Sequence, residues 1–329
     1  MINKTPTLLF LVSFFFLSST AQSLTEREEL DKVLIHVKES YYGTVDTEAL
    51  VGSTLQEVLD SLDNDSRVVE GEMPSLDFVR GLEEEASIAE VRLITPEIGY
   101  IKIGFFGRRT GAHFKKALET LGAVALPNST SLPLDVGGKG GGESPSPFPL
   151  PPGEGVVDGS PPQADATSEP RIKGLLLDLR DNPGGHLQSA LEVLNKFVPP
   201  GKVLLIEKTK GGEKPYLSEG IPVGARCNVP LLPIVILINN FTASSAEIVA
   251  STLRYHCGAR VIGEKSKGKG TIQEVIPLGA RTLILTIGEY LQPDGSSLRD
   301  KGVIPDLEVK GYEEQFHAAR SLLSVGSRQ

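Results

Sequence analysis

From Gly174 to Gly263 the sequence alternates between strand-like and helix-like runs, and this alternation constrains the fold more than any other feature. Gly174 to Arg180 reads as a strand, Leu187 to Phe197 as a helix and Lys202 to Glu207 as a strand. Leu232 to Ile238 reads as a fully buried strand, Ser244 to about Tyr255 as a helix and Ala259 to Gly263 as another strand. Strands separated by helices imply crossover connections, so the expected fold is α/β: a largely parallel-sheet core with crossover helices. Thr271 to Ile276 and Thr282 to Tyr290, separated by a Gly-containing turn, add a hairpin. With 329 residues, 40% apolar and 23% charged, whole-chain disorder and a collagen-like fibre are excluded.

Upstream, Leu30, Val33, Leu34 and Val37, then Leu50, Leu55, Val58, Leu59 and Leu62, recur at three- and four-residue steps and predict two amphipathic helices. Ile98 to Ile103 alternates like a strand, with a helix over about 111–121 behind it. Residues 1–23 have the anatomy of a signal peptide: Lys4, an apolar run from Leu8 to Leu17, then Ser18 to Ala21. That run is shorter than the roughly twenty residues a bilayer span needs. The expectation is an exported chain, periplasmic or secreted, the alternative being an uncleaved N-terminal anchor. The resulting organisation is an N-terminal helical segment (24–66), a short connector (67–97), a core (98–126 and 171–310), a Pro/Gly-rich insertion (127–170) and a C-terminal tail helix (311–329).

Thirty-three basic against forty-two acidic residues give a net charge of −9, which argues against nucleic acid as a partner. Two cysteines exclude a four-cysteine zinc site. Cys227 precedes one strand and Cys257 ends the helix returning to that strand's edge. They are expected at the same end of the sheet, either paired as a disulfide or as two buried free thiols.

Ligand sites in open α/β sheets gather where strand-to-helix loops converge. Three such loops are unusual here. Arg180-Asp181-Asn182-Pro183-Gly184-Gly185 opens onto a helix with bare glycine amides that can receive an oxyanion, although most such sequences are only turns. Asn239 to Glu247 places Ser244 or Ser245 at a helix start, where Ser244 with Glu247 also fits a capping box. Gly263 to Gln273 holds Lys269 between two glycines. Such a lysine, if buried, loses hydration and becomes a neutral base; otherwise the three lysines of the loop make a solvated basic face. If the two strands are neighbours, serine and lysine meet.

These residues resemble the carboxyl-terminal processing peptidases, the tail-specific Ser-Lys enzymes of peptidase family S41, over about 99–306 apart from the insertion. Leu177 to Gly185 resembles that family's strand and oxyanion turn, Thr242 to Ala250 its nucleophile helix and Gly263 to Gln273 its lysine loop. Tyr290 to Gly295, Gly302 to Asp306 and, upstream, Ser61 to Ser66 are similar to further family motifs. The resemblance implies a crotonase/ClpP-like core and acyl transfer to protein or peptide substrates. Ser244 is then the nucleophile and Lys269, twenty-five residues later, the base. Gln273 would orient the lysine, and the amides of Gly184 or Gly185 and of Ser245 would hold the oxyanion. No metal or other cofactor is implied. The family's substrate-reading PDZ domain takes on the order of eighty to a hundred residues. Only Arg67 to Thr95 is available for it, so the chain is expected to lack one. An aspartate common in the family is replaced by Tyr255, and Lys267 stands in place of an aromatic.

Two rivals remain. His186 beside the Gly-Gly turn offers a Ser-His arrangement, without the Gly-x-Ser-x-Gly elbow that supports a hydrolase triad. The other is a catalytically weak or inactive core kept for binding or assembly. The N-terminal helices are either a dimerisation arm, giving a homo-oligomer, or a cover for the core, and an adaptor protein is a further partner to test.

Overall fold

A computed structural model describes residues 25–71, 87–122, 172–220 and 232–326. The expected signal peptide (1–23), the insertion (127–170), Cys227 and residues 72–86 of the connector lie outside the described residues. In chain order the first elements are α1 (Glu26–Ser40), α2 (Leu55–Asp60), β1 (Arg67–Glu70), β2 (Ile88–Thr95), β3 (Ile98–Ile103) and α3 (Thr110–Thr120). Then come β4 (Gly174–Asp178), α4 (Leu187–Leu194), β5 (Val203–Thr209), β6 (Gly212–Leu217), β7 (Ile234–Ile238) and α5 (Ser245–Cys257). The last are β8 (Arg260–Gly263), β9 (Thr271–Pro277), β10 (Arg281–Leu291), β11 (Leu307–Glu308) and α6 (Tyr312–Gly326).

Six strands form the principal sheet in the order β11-β8-β7-β4-β3-β2, parallel except for β2. Every residue of β4 and β7 is buried. Leu175, Leu177, Ile234, Ile236 and Ile238 pack into one layer with Phe114, Leu118, Leu194, Val249 and Leu253 of α3, α4 and α5. Leu176, Val235 and Leu237 face the other way, onto Ala319 and Leu323 of α6. Covering on both faces is why these strands read as unbroken apolar runs rather than alternating ones.

The remaining strands depart from the single parallel sheet that the alternation suggests. β10 is the spine of a second, antiparallel sheet in the order β1-β10-β5-β6, with β9 also paired to β10 as the expected hairpin. β5 belongs here because its second half, Ile206 to Thr209, is only partly buried and carries Glu207 and Lys208. A sheet buried on both faces has no place for those charges. The segment 67–97 is not mere connector: β1 pairs with β10 and β2 with β3. Both are edge strands with mostly half-exposed residues, which is why they lack a clear apolar pattern.

α1 and α2 each begin at a threonine with a glutamate three residues on, Thr25 with Glu28 and Thr54 with Glu57, closing capping boxes. Their buried residues Val33, Val37, Leu55 and Val58 pack on Ile276, Leu283 and Leu285 of the second sheet. The apolar stripe of the N-terminal helices therefore covers the core.

Beyond the C-terminal end of β4, Arg180 forms a buried two-point pair with Asp178, Nε to Oδ1 at 2.9 Å and Nη2 to Oδ2 at 2.6 Å. Asp178 also accepts from the Tyr100 hydroxyl at 2.9 Å. Arg180 Nη1 donates to Tyr312 O at 2.6 Å, and the guanidinium lies 3.4 Å from the Tyr312 ring centre, so the pair also fastens α6 to the sheet. Removing one partner of a buried pair strands the other. Arg180→Leu is expected to cost about 3–5 kcal/mol in urea denaturation.

Candidate active site

Because β4, β7 and β8 are parallel neighbours, the loops that follow them leave the same edge of the sheet. Asp181 N–H donates to Asn239 Oδ1 (3.0 Å) and Asn239 Nδ2 returns a bond to Asp181 Oδ1 (2.7 Å). Ala243 N–H donates to Asn182 O at 2.9 Å, and Lys267 N–H to Thr242 O at 2.9 Å. All three loops flagged by the sequence are thereby joined.

Ser244 sits at the start of α5 with φ +54° and ψ −123°, a positive-φ conformation that is unusual without glycine and strains the backbone by roughly 1–3 kcal/mol. It is half-buried. The Gly-Gly turn lies directly against it. A Cβ on Gly184, φ +98°, would stand 2.7 Å from Ser244 Cβ and 2.8 Å from Ala243 O, so only glycine fits there. Of the three amides expected to receive an oxyanion, Gly184 N–H is already engaged by Asn182 Oδ1 at 2.9 Å. Gly185 and Ser245 N–H have no hydrogen-bond partner among the described residues. The Ser245 hydroxyl donates to Gly185 O at 2.8 Å and holds the two amides' chains together.

The lysine loop is held by Glu247, a fully buried residue in the first turn of α5. Its Oε2 accepts from Ser244 N–H (2.8 Å) and from Lys269 N–H (2.9 Å). Its Oε1 accepts from the Ser266 hydroxyl (2.5 Å) and Gly268 N–H (2.7 Å). Burial pushes this carboxyl up from its ordinary range, and the four hydrogen bonds oppose that push. Sequence reasoning recognised only the local capping role of Glu247. Three of its four donors lie nineteen to twenty-two residues further on, out of reach of a local pattern.

Lys265 and Lys267 are exposed, but Lys269 is half-buried. Burial lowers its amine below the ordinary lysine value; Asp65 opposes this, and Arg67 and Lys267 add to it. Gly270 is required because a Cβ there would stand 2.8 Å from Arg299 N. Among the described residues no hydrogen bond joins Ser244 Oγ to Lys269 Nζ. Their main chains meet on one carboxylate oxygen.

Gln273, expected to orient the lysine, donates its Nε2 to Asp65 O at 2.9 Å instead. His186 stands at the N-cap position of α4 without a side-chain capping bond, and its Nδ1 lies 3.5 Å from Ser189 Oγ of that helix. The Cys257 thiol, raised to about 11 by burial, faces Phe197 O at 3.8 Å, and its proposed partner Cys227 is outside the described residues.

The loops after the parallel strands β4, β7 and β8 thus gather a serine, a lysine and two free amides at one edge of the principal sheet. Residues 163–309 match the model of peptidase family S41. A carboxy-terminal-processing protease of Bartonella bacilliformis is 38% identical over 152 residues, 44% of this chain and 34% of that protein. The chain spans about a third of the length of the curated relatives it matches. Among solved structures, a lipoprotein from Streptococcus agalactiae is 18% identical with a TM-score of 0.58, covering 95% of this chain and 99% of that one. A putative S41 protease from Bacteroides fragilis is 15% identical with a TM-score of 0.50, covering 74% and 58%. At these identities the structures establish the fold.

Glu247→Gln must turn an N–H toward backbone N–H donors that now meet oxygen. It is expected to lower turnover by about a hundredfold and to lower the urea midpoint, measured by initial rates and by denaturation of the same preparation.

Proposed function

We propose that this chain is a serine-type endopeptidase of the carboxyl-terminal processing kind, hydrolysing peptide bonds of exported proteins through an acyl-enzyme on Ser244 with Lys269 as general base. The observation that carries this reading is the Glu247 oxygen that takes the amides of both residues, beside a lysine whose burial favours the uncharged amine more than water does. Neutral Lys269 removes the Ser244 proton as Oγ attacks the carbonyl carbon. The oxyanion settles on the free amides of Gly185 and Ser245. The lysine then gives its proton to the departing amine, and water, deprotonated by the same group, hydrolyses the ester.

Export rests on the sequence of residues 1–23; among the described residues no helix is long and apolar enough to cross a membrane. On the family resemblance, which leaves only Arg67 to Thr95 for a PDZ domain, substrate choice falls to the core itself or to an adaptor. An oligomer through α1 and α2 would have to use faces other than the stripe covering the second sheet.

Cleavage of unfolded casein tests the assignment. Ser244→Ala and Lys269→Ala are each expected to abolish it, and His186→Ala to retain it. An inert wild type would favour the binding or assembly module, and cleavage surviving Lys269→Ala would sink the dyad. The rate is also expected to climb with pH as Lys269 loses its proton, through a midpoint below the ordinary lysine range. A pH profile of initial rates checks this.

A further inference from the structure

Thr271 and Gln273 leave β9 on one face, because successive residues of a strand point to opposite faces, and Lys269 lies two residues before the strand begins. The strand pairing already reaches this stretch: Tyr290 N–H donates to Gly270 O at 2.7 Å. Two of the three side chains bind the same N-terminal residue. Thr271 Oγ1 donates to the Asp65 carboxylate at 3.0 Å, and Gln273 Nε2 to the Asp65 carbonyl at 2.9 Å. The third, Lys269, feels the charges of Asp65 and Arg67. The turn that carries them is fixed from behind. Asp63 Oδ1 accepts from the amides of Asp65 (3.1 Å) and Ser66 (2.8 Å), and Asp63 Oδ2 from Arg299 Nη2 (2.9 Å). Ser66 Oγ accepts from Thr286 N–H (3.0 Å), and Arg67 Nη1 donates to Asp65 O (2.9 Å).

We propose that the turn 63–67 is a wall of the active site and that Asp65, bound by Thr271 and Gln273 at the start of β9, is a positioning residue for Lys269 two residues before that strand. Thr271 and Gln273 act on the lysine through Asp65. The proposal rests on the Ser244–Lys269 reading for its catalytic meaning, though not for its geometry. The charged groups around the lysine come from three directions: Asp65 and Arg67 from the turn and β1, Lys267 from its own loop, and Glu247 from α5, which holds its amide. The signs are opposed. Asp65 favours the ammonium form, whereas Arg67 and Lys267 favour the neutral amine.

Competitive acetylation of the full chain across pH, with the Lys269 peptide quantified by mass spectrometry, reads the amine whether or not the protein cleaves anything. In Asp65→Asn, which keeps an acceptor for Thr271, the labelling midpoint of Lys269 is expected to move to lower pH by about one unit. In Arg67→Gln it is expected to move to higher pH. Opposite displacements from two neighbours are not what a merely loosened turn would give. Midpoints that stay put, or move together, would overturn the proposal while leaving the Ser-Lys reading intact. Casein cleavage surviving Lys269→Ala would remove that reading without altering the labelling result.

Discussion

One buried carboxylate organises the site. Glu247 receives four donors from two loops that are distant in sequence, and two of them are the main chains of Ser244 and Lys269. An acceptor-only group without solvent must be fully satisfied to be tolerated, so the lysine loop has little freedom to drift from the helix that carries the serine. Two glycines stand where a side chain would collide, Gly184 with Ser244 and Ala243 and Gly270 with Arg299.

A second polar layer supports the first. The Arg180–Asp178 pair lies at the end of β4 with the Tyr312 ring against it, and the reciprocal bonds between Asp181 and Asn239 join the first loop to the second. Tyr312 also donates its hydroxyl to Asp181 Oδ2 at 2.8 Å. The C-terminal helix therefore does more than cover an apolar face. It fixes the loop whose Gly184 lies against Ser244.

Much of this was legible in sequence where signals are local. β3 falls over the predicted residues, and α3 and α5 differ from expectation by a residue or two, because apolar spacing carries its own evidence. The three loops stood out because Gly-Gly, Ser at a helix start and Lys between glycines are each locally odd. What stayed hidden depends on distant partners. The division into two sheets turns on where β5 and β10 find neighbours, β1 and β2 are edge strands without a buried stripe, and Glu247 looked like an ordinary cap. The link from Asp65 to Thr271 and Gln273 spans more than two hundred residues. No window of sequence contains both ends.

The central claim is that Ser244 is a nucleophile made reactive by Lys269. Labelling with a fluorophosphonate, followed by mapping of the modified peptide, tests it without knowledge of the substrate. The expected result is a single adduct on Ser244 that forms in wild type and is lost in Lys269→Ala. An adduct on another residue, or undiminished labelling without the lysine, would contradict it.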